Sequence, residues 1–406
     1  MHVLFVEPSF PRNQREFVRG LAAVGARVTG LGEVPPHALP GEVGDHLVGY
    51  EHVRSVVDEG AMFDAVRRVQ GRAWVDRIEA TVEAHILPTA RVREACSIPG
   101  TSFRTAYLCR DKPAMKAFLR EHGIPCAQSD RVSDPDQARA FAARVGFPLI
   151  LKPVAGAGAS GTERVDDAAG LERAIASHGI ARGREVAIEE FIEGHEGFYD
   201  TITVGGEVGH EFVSHYYPGV LEAMRNRAVN PCFIATNRLD APGYGELREL
   251  GRRVIAALGL QTSATHMEWF YGPRGLKFSE IGCRPPGVGA WDLYGAAHDL
   301  DVYREWAAAL VHGRLEGTPS RRFSAAILNL RPEADGQVVG HEGLDEVERR
   351  VGEWIIDVHL PPAGSPTQPV EAGYMANAWI RVKHPDYDSL REMLDWIGRT
   401  VRIRVA

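Results

Sequence analysis

The run AGAGASG, from Ala155 to Gly161, constrains this chain more than any other. It follows one extended apolar stretch, FPLILK (Phe147 to Lys152), and precedes another, TERV (Thr162 to Val165). Glycine loses more conformational freedom on ordering than any other residue, so a set this dense reads as a loop. Gly156, Gly158 and Gly161 match the GxGxxG pattern. A dinucleotide turn, however, opens directly into a helix whose N-terminus holds pyrophosphate. Here an extended run follows, so the loop is expected to join two strands. Backbone N–H groups of such a loop can cradle phosphates, with the Ser160 hydroxyl and with Lys152 at the end of the preceding strand.

Around this loop the chain alternates strands and helices. It opens with a strand (His2 to Val6), a helix (about Asn13 to Val24) and a strand (Arg27 to Leu31), the start of a doubly wound α/β unit. No close-approach glycines follow the first strand, where EPSFPRN stands, so this unit reads as a scaffold or substrate-side domain. A loop follows over Pro35 to Gly44, helical patterns run from Gly60 to Val82, and SIPGTS (Ser97 to Ser102) marks a boundary. Next come a helix over Lys112 to His122, a strand near Ala127 to Val132 and a helix from Pro135 to Val145 capped by Asp134. Beyond the loop, a helix begins at Asp166 or Asp167 and a strand covers EVAIEEFI. The turn GPRG then centres a hairpin, THMEWFYGPRGLKFSEIG. A strand (Met375 to Lys383), a helix (Tyr387 to Ile397) and a last strand close the tail.

Composition narrows the functional classes. With 406 residues the chain fits roughly two to four domains, and a net charge of −8 disfavours nucleic acid held on a broad basic face. No apolar run approaches the ~20 residues that span a bilayer. MHVLFVEPSF has no secretory character, and the reading is cytoplasmic with no membrane partner. Five scattered cysteines without a CxxC indicate neither a disulfide framework nor a zinc ribbon.

Several polar residues have the spacing of a nucleotide site. Lys112 and Lys152 each open or close a regular element and can place two ammonium groups on one triphosphate. Glu189, Glu190, Phe191 and Ile192 follow a strand and offer polar groups for an adenine edge beside an apolar wall, and Glu196 a carboxylate for ribose hydroxyls. Glu268 and Glu280 lie on the two arms of the hairpin, so antiparallel pairing can bring both hard oxygen ligands to one Mg²⁺ site. Arg284, four residues after Glu280, can aim a guanidinium at a transferring phosphoryl group or a carboxylate. His266 shares the strand face of Glu268 and is a candidate for substrate contact. His215, Arg225 and Arg227 belong to a segment that can line the substrate pocket or form a solvated turn.

The ordered set DKPAMK, LKPVAGAGASG, EEFIEGHE, THMEW and EIGCRPPG resembles the ATP-grasp superfamily, in particular its carboxylate–amine ligases, which include bacterial L-amino-acid ligases and carnosine-synthase-like enzymes. The resemblance implies an α+β ATP-grasp fold: an N-terminal Rossmann-like domain over residues 1–100, a two-part nucleotide-binding body over 101–320 with a mobile lid at about 127–189, and a small C-terminal α/β subdomain over 321–406. It implies that Lys112, Lys152, Gly156, Gly158, Ser160 and Gly161 hold ATP phosphates, that Glu189 to Ile192 form the adenine hinge and that Glu196 binds ribose. Glu268 and Glu280 would hold Mg²⁺ or Mn²⁺, and Arg284 with Lys152 would act in catalysis. Gly282 stands where many members carry Asn, so a water or phosphate oxygen would complete the metal shell. The implied activity is amide formation from a small carboxylate and an amine through an acyl phosphate, in a homodimer. Three other readings stand beside it: a carboxylase or purine-pathway ligase of the same fold, a non-catalytic ATP-binding regulator, and a dinucleotide oxidoreductase resting on GxGxxG alone.

Overall fold

A computed structural model of the chain describes residues 1–154 and 161–406. Gly156, Gly158 and Ser160 lie outside the described residues.

The N-terminal segment forms a parallel four-stranded sheet in the order Gly49–His52, Arg27–Gly32, His2–Val6, Arg77–Glu79. His2–Val6 is buried along its whole length, as a central parallel strand must be. The helical pattern expected over Gly60 to Val82 divides in two. A helix, Glu59–Gln70, is capped by Asp58, whose carboxylate accepts from Ala61 N at 3.0 Å. Its buried positions Met62, Ala65, Val66 and Val69 keep helical spacing only to Val69. Ile78 is then buried as the register partner of Leu4, which makes Arg77–Glu79 an edge strand.

A second, antiparallel sheet has the order Ser129–Val132, Val186–Glu190, Leu149–Lys152, Glu163–Val165. The two strands flanking the glycine-rich run are antiparallel neighbours, with Leu149 opposite Val165 and Leu151 opposite Glu163. Helices Pro135–Val145 and Ala168–Ser177 are capped by Asp134 and Asp167 and complete a separate core around Phe141, Leu149, Leu151 and Ile188.

The largest sheet has eight antiparallel strands, ordered Gly275–Gly282, Ser263–Gly272, His195–Val204, Glu207–Tyr217, Cys232–Ala235, Ser324–Asn329, Trp379–His384, Ile355–His359. The strand expected from Met375 starts later, at Trp379. Three strands drawn from beyond residue 320 therefore continue the sheet that carries Glu268 and Glu280. On one face, Phe17 of helix Gln14–Ala23 inserts among Trp291, Tyr303 and Trp306 with ring centroids 4.9–5.1 Å apart, joining the N-terminal unit to helices Ala290–His298 and Val302–His312. No helix among the described residues is long and apolar enough to cross a membrane.

Candidate active site

One hairpin decides the geometry of the site. Strands Ser263–Gly272 and Gly275–Gly282 pair Gly272 with Gly275 and Trp269 with Phe278. Carried on without change, that register would set Glu268 opposite Ser279 and send Glu280 to the other face of the sheet, because side chains alternate with a period of two. A bulge between Glu268 and Trp269 shifts the pairing by one residue. Glu268 and Glu280 become register partners on one face.

Both glutamates line a cavity of about 830 Å³, within the size range of small-molecule sites. Lys112 begins helix Lys112–Glu121, where Asp111 caps the N-terminus by accepting from Ala114 N at 3.0 Å. Its Nζ lies 3.3 Å from Glu280. Lys152, at the end of its strand, lies 2.9 Å from Glu189 and 3.9 Å from Glu280. Burial lowers the Lys152 pKa, but the charges of Glu189 and Glu280 outweigh it and the net shift is upward. For Glu280, burial works upward and the nearby lysines, Lys112 foremost, bring the net shift below the ordinary carboxylate value. Glu268 is raised, by burial first and then by the charge of Glu280. Two paired carboxylates with mutual repulsion and hard oxygen donors fit a divalent cation. Among the described residues no three His, Cys, Asp or Glu side chains gather as a metal cluster, so such an ion would draw further oxygens from water or from a phosphate.

The other predicted residues fall on the same cavity with some differences in what they touch. Glu189 directs its carboxylate to lysines: Lys116 Nζ lies 2.6 Å and Lys152 Nζ 2.9 Å from the same oxygen. Glu190 N–H donates to Gln128 O and Phe191 N–H to Pro148 O, so both of these backbone donors are engaged within the fold. Glu196 is buried, accepts from Val220 N at 2.7 Å and is pushed up to about 8, by burial first and then by the charge of Glu268. Arg284 is not a freely aimed guanidinium. Its Nε donates to Glu83 at 2.5 Å and its Nη1 to Pro285 O at 2.8 Å, while Arg110 donates to the other Glu83 oxygen at 2.6 Å. Burial works to raise the Glu83 pKa, yet the two arginines outweigh it and hold the group low. His266 pairs through Nδ1 with Asp200 at 2.7 Å and places Nε2 4.0 Å from Glu268. Burial lowers the His266 pKa, and Asp200 reverses the sign. Tyr294 donates to the second Asp200 oxygen.

Arg225 reaches the cavity, but two other candidates do not. His215 points to the opposite sheet face, where it bonds His195 at 2.9 Å and Tyr244 at 2.7 Å. Arg227 pairs with Asp335 at 2.5 Å, away from the site. Three residues were absent from the sequence expectations: Lys116, which lines the cavity, and Glu83 and Asp200, which hold the lining residues Arg284 and His266. Only Lys116 had a local signal, its spacing of four from Lys112 on one helix face.

Residues 117–299 match the ATP-grasp domain family. The chain carries an ATP-grasp domain. The match takes in the hinge, both hairpin glutamates and Arg284, and begins just after Lys116. Among curated relatives, an L-arginine-specific L-amino acid ligase of Bacillus subtilis is 29% identical over 60% of this chain and 61% of its own length. This chain thus spans about three fifths of that relative. A formate-dependent phosphoribosylglycinamide formyltransferase of Bacteroides thetaiotaomicron is 24% identical over 86% of this chain and 89% of its own. An L-amino acid ligase structure from Bacillus licheniformis superposes with a TM-score of 0.77 at 20% identity, covering 100% of this chain and 98% of that one. ATP is the nucleotide of ATP-grasp domains, and the superposition shows that the chain shares the fold of that ligase structure.

Proposed function

We propose that this chain is an ATP-dependent carboxylate–amine ligase that forms an amide, in the first instance a peptide bond, and releases ADP and phosphate. The bulge-set pairing of Glu268 with Glu280, facing Lys112 and Lys152 across one cavity and followed by Arg284, carries the reading. A carboxylate oxygen attacks the γ-phosphorus as the bond to ADP breaks. The amine nitrogen then attacks the acyl carbon, phosphate leaves, and the amine gives up a proton. Lys112 and Lys152 hold the phosphates, and Arg284, fixed by Glu83, faces the charge that develops on the acyl phosphate. Glu268 and Glu280 would hold Mg²⁺, whose charge would offset that of the phosphates. Glu196 would take ribose hydroxyls and the segment Glu189 to Ile192 the adenine. The segment 127–189 is the lid that excludes water from a hydrolysable intermediate. In this division residues 1–100 and 321–406 flank the body at 101–320 and shape the substrate side.

Similarity to amino acid ligases supports this chemistry. Five buried free cysteines suit a reducing, cytoplasmic setting. A homodimer, the assembly implied by the resemblance, is checked by light scattering. The decisive experiment incubates the protein and Mg·ATP with a pool of L-amino acids and small carboxylates and identifies products by mass spectrometry. New amides in step with ADP support the ligase. A second reading, a purine-pathway type of ligation, is favoured by an alignment that runs over 86% of this chain. ADP formed with formate or bicarbonate and a ribonucleotide amine, and with no amino-acid pair, would establish that reading instead.

A further inference from the structure

Glu189 meets two lysines on a single carboxylate oxygen. Its Oε2 takes Lys116 Nζ at 2.6 Å and Lys152 Nζ at 2.9 Å, and Ser129 Oγ donates to Oε1 at 3.4 Å. Lys116 is 1% exposed, an extreme for an ammonium group. The three residues come from separate pieces of the fold. Lys116 stands one turn after Lys112 on helix Lys112–Glu121. Glu189 and Lys152 lie on adjacent strands of the small antiparallel sheet, where Ile150 is the register partner of Glu189.

Two ammonium groups on one carboxylate oxygen are one more than charge balance at that carboxylate needs. Lys152 is the cation with a second carboxylate in reach, Glu280 at 3.9 Å, and it stands where the glycine-rich run begins. A polyphosphate at Lys152 competes with Glu189 for the same ammonium group. If Glu189 had no other cation, each such exchange would leave a buried carboxylate unpaired, which is strongly unfavourable. Lys116 removes that cost by staying on Glu189 throughout. Burial raises the Glu189 pKa, yet Lys116, then Lys152, outweigh it and hold the group down to about 2.

We infer that Lys116 is a positioning residue for nucleotide binding: it is the standing counter-ion of Glu189 and frees Lys152 to serve the phosphates. The inference rests on nucleotide binding by the ATP-grasp domain and not on the ligase reading, so amide formation and this test fail separately. Lys116 acts through Glu189 and does not itself need to reach the nucleotide.

The test is calorimetry with Mg²⁺ and a non-hydrolysable ATP analogue on the full chain. Lys116→Met is expected to weaken binding by tenfold or more, and Lys116→Arg to recover most of it. The double variant Lys116→Met, Glu189→Gln removes both charges and is expected to bind more tightly than Lys116→Met and within about threefold of Glu189→Gln alone, since the buried carboxylate is gone in both. If Lys116→Met binds within twofold, the inference is overturned. If the double variant binds as weakly as Lys116→Met, Lys116 touches phosphate directly and the inference is equally overturned. Because the double variant leaves no buried carboxylate behind, it remains informative if Lys116→Met alone does not fold.

Discussion

Arg284 donates through Nε to Glu83 at 2.5 Å, so a carboxylate from the N-terminal unit fixes a guanidinium that follows it by 201 residues. Arg110 closes the clamp from the other side. Glu83→Gln keeps the shape of the group and removes the charge that both arginines face. Turnover is expected to fall by about 10²-fold, the order of loss that follows from small misplacement of a group at the reacting centre. Binding of Mg·ADP, measured by calorimetry, should stay within about twofold, because the phosphate lysines are untouched.

Glu280→Gln affects both the cation and the lysines. It deletes one of the two hairpin carboxylates and the counter-charge of Lys112 and Lys152. Amide formation should drop by about 10²–10³-fold, in line with the loss of one electrostatic stabiliser at a reacting centre. Electron paramagnetic resonance of Mn²⁺ added with an ATP analogue should show the ion mostly unbound in the variant and bound in the parent.

Glu196 gives the protein a pH-dependent weakness. Its pKa is pushed up to about 8, by burial first and then by Glu268, against an ordinary value of 4.5. A raised pKa means that the folded state favours the proton. Its contribution is full below pH 4.5 and is lost as pH rises towards 8. In metal-free buffer Glu196→Gln should therefore melt higher than the parent at pH 8.5, with a smaller difference at pH 5. The amide oxygen of the variant would still accept from Val220 N. An equal shift at both pH values would contradict this account.

Gly251 lies on helix Gly245–Leu258 where it packs on Tyr199, a fully buried ring whose hydroxyl donates to Glu211 at 2.7 Å. A Cβ at Gly251 would meet Tyr199 Cε1 at 2.3 Å. Gly251→Ala recovers up to ~1 kcal/mol of helix propensity, but overpacking a rigid core costs roughly 1–3 kcal/mol. The steric term wins because the ring is anchored at both ends. Urea titration should show a net loss of about 1–2 kcal/mol.

Local chemistry was readable from the residues. Asp134 and Asp167 cap the helices they precede, GPRG turns the hairpin, and the glycine-rich run lies between antiparallel strands. What escaped depends on contacts far apart in the chain. Lys116 meets Glu189 across 73 residues and Glu83 meets Arg284 across 201, separations at which no spacing rule operates. The pairing of Glu268 with Glu280 was expected from the hairpin, yet it depends on a bulge that no residue pattern announces. His215 has the pattern of a site residue, but one step along its strand puts it on the other face. The helix expected through Val82 failed because buried spacing past Val69 belongs to a strand partner of Leu4.

Cys232–Ala235 is hydrogen-bonded on one side to Glu207–Tyr217 and on the other to Ser324–Asn329. A chain cut near residue 320 would thus expose a raw strand margin inviting adhesion between molecules. The carboxyl-terminal region behaves less like a bead on a string than like the missing staves of one panel. Chimeras that exchange this region between relatives must splice along strand register, and those joined at a loop for convenience should precipitate.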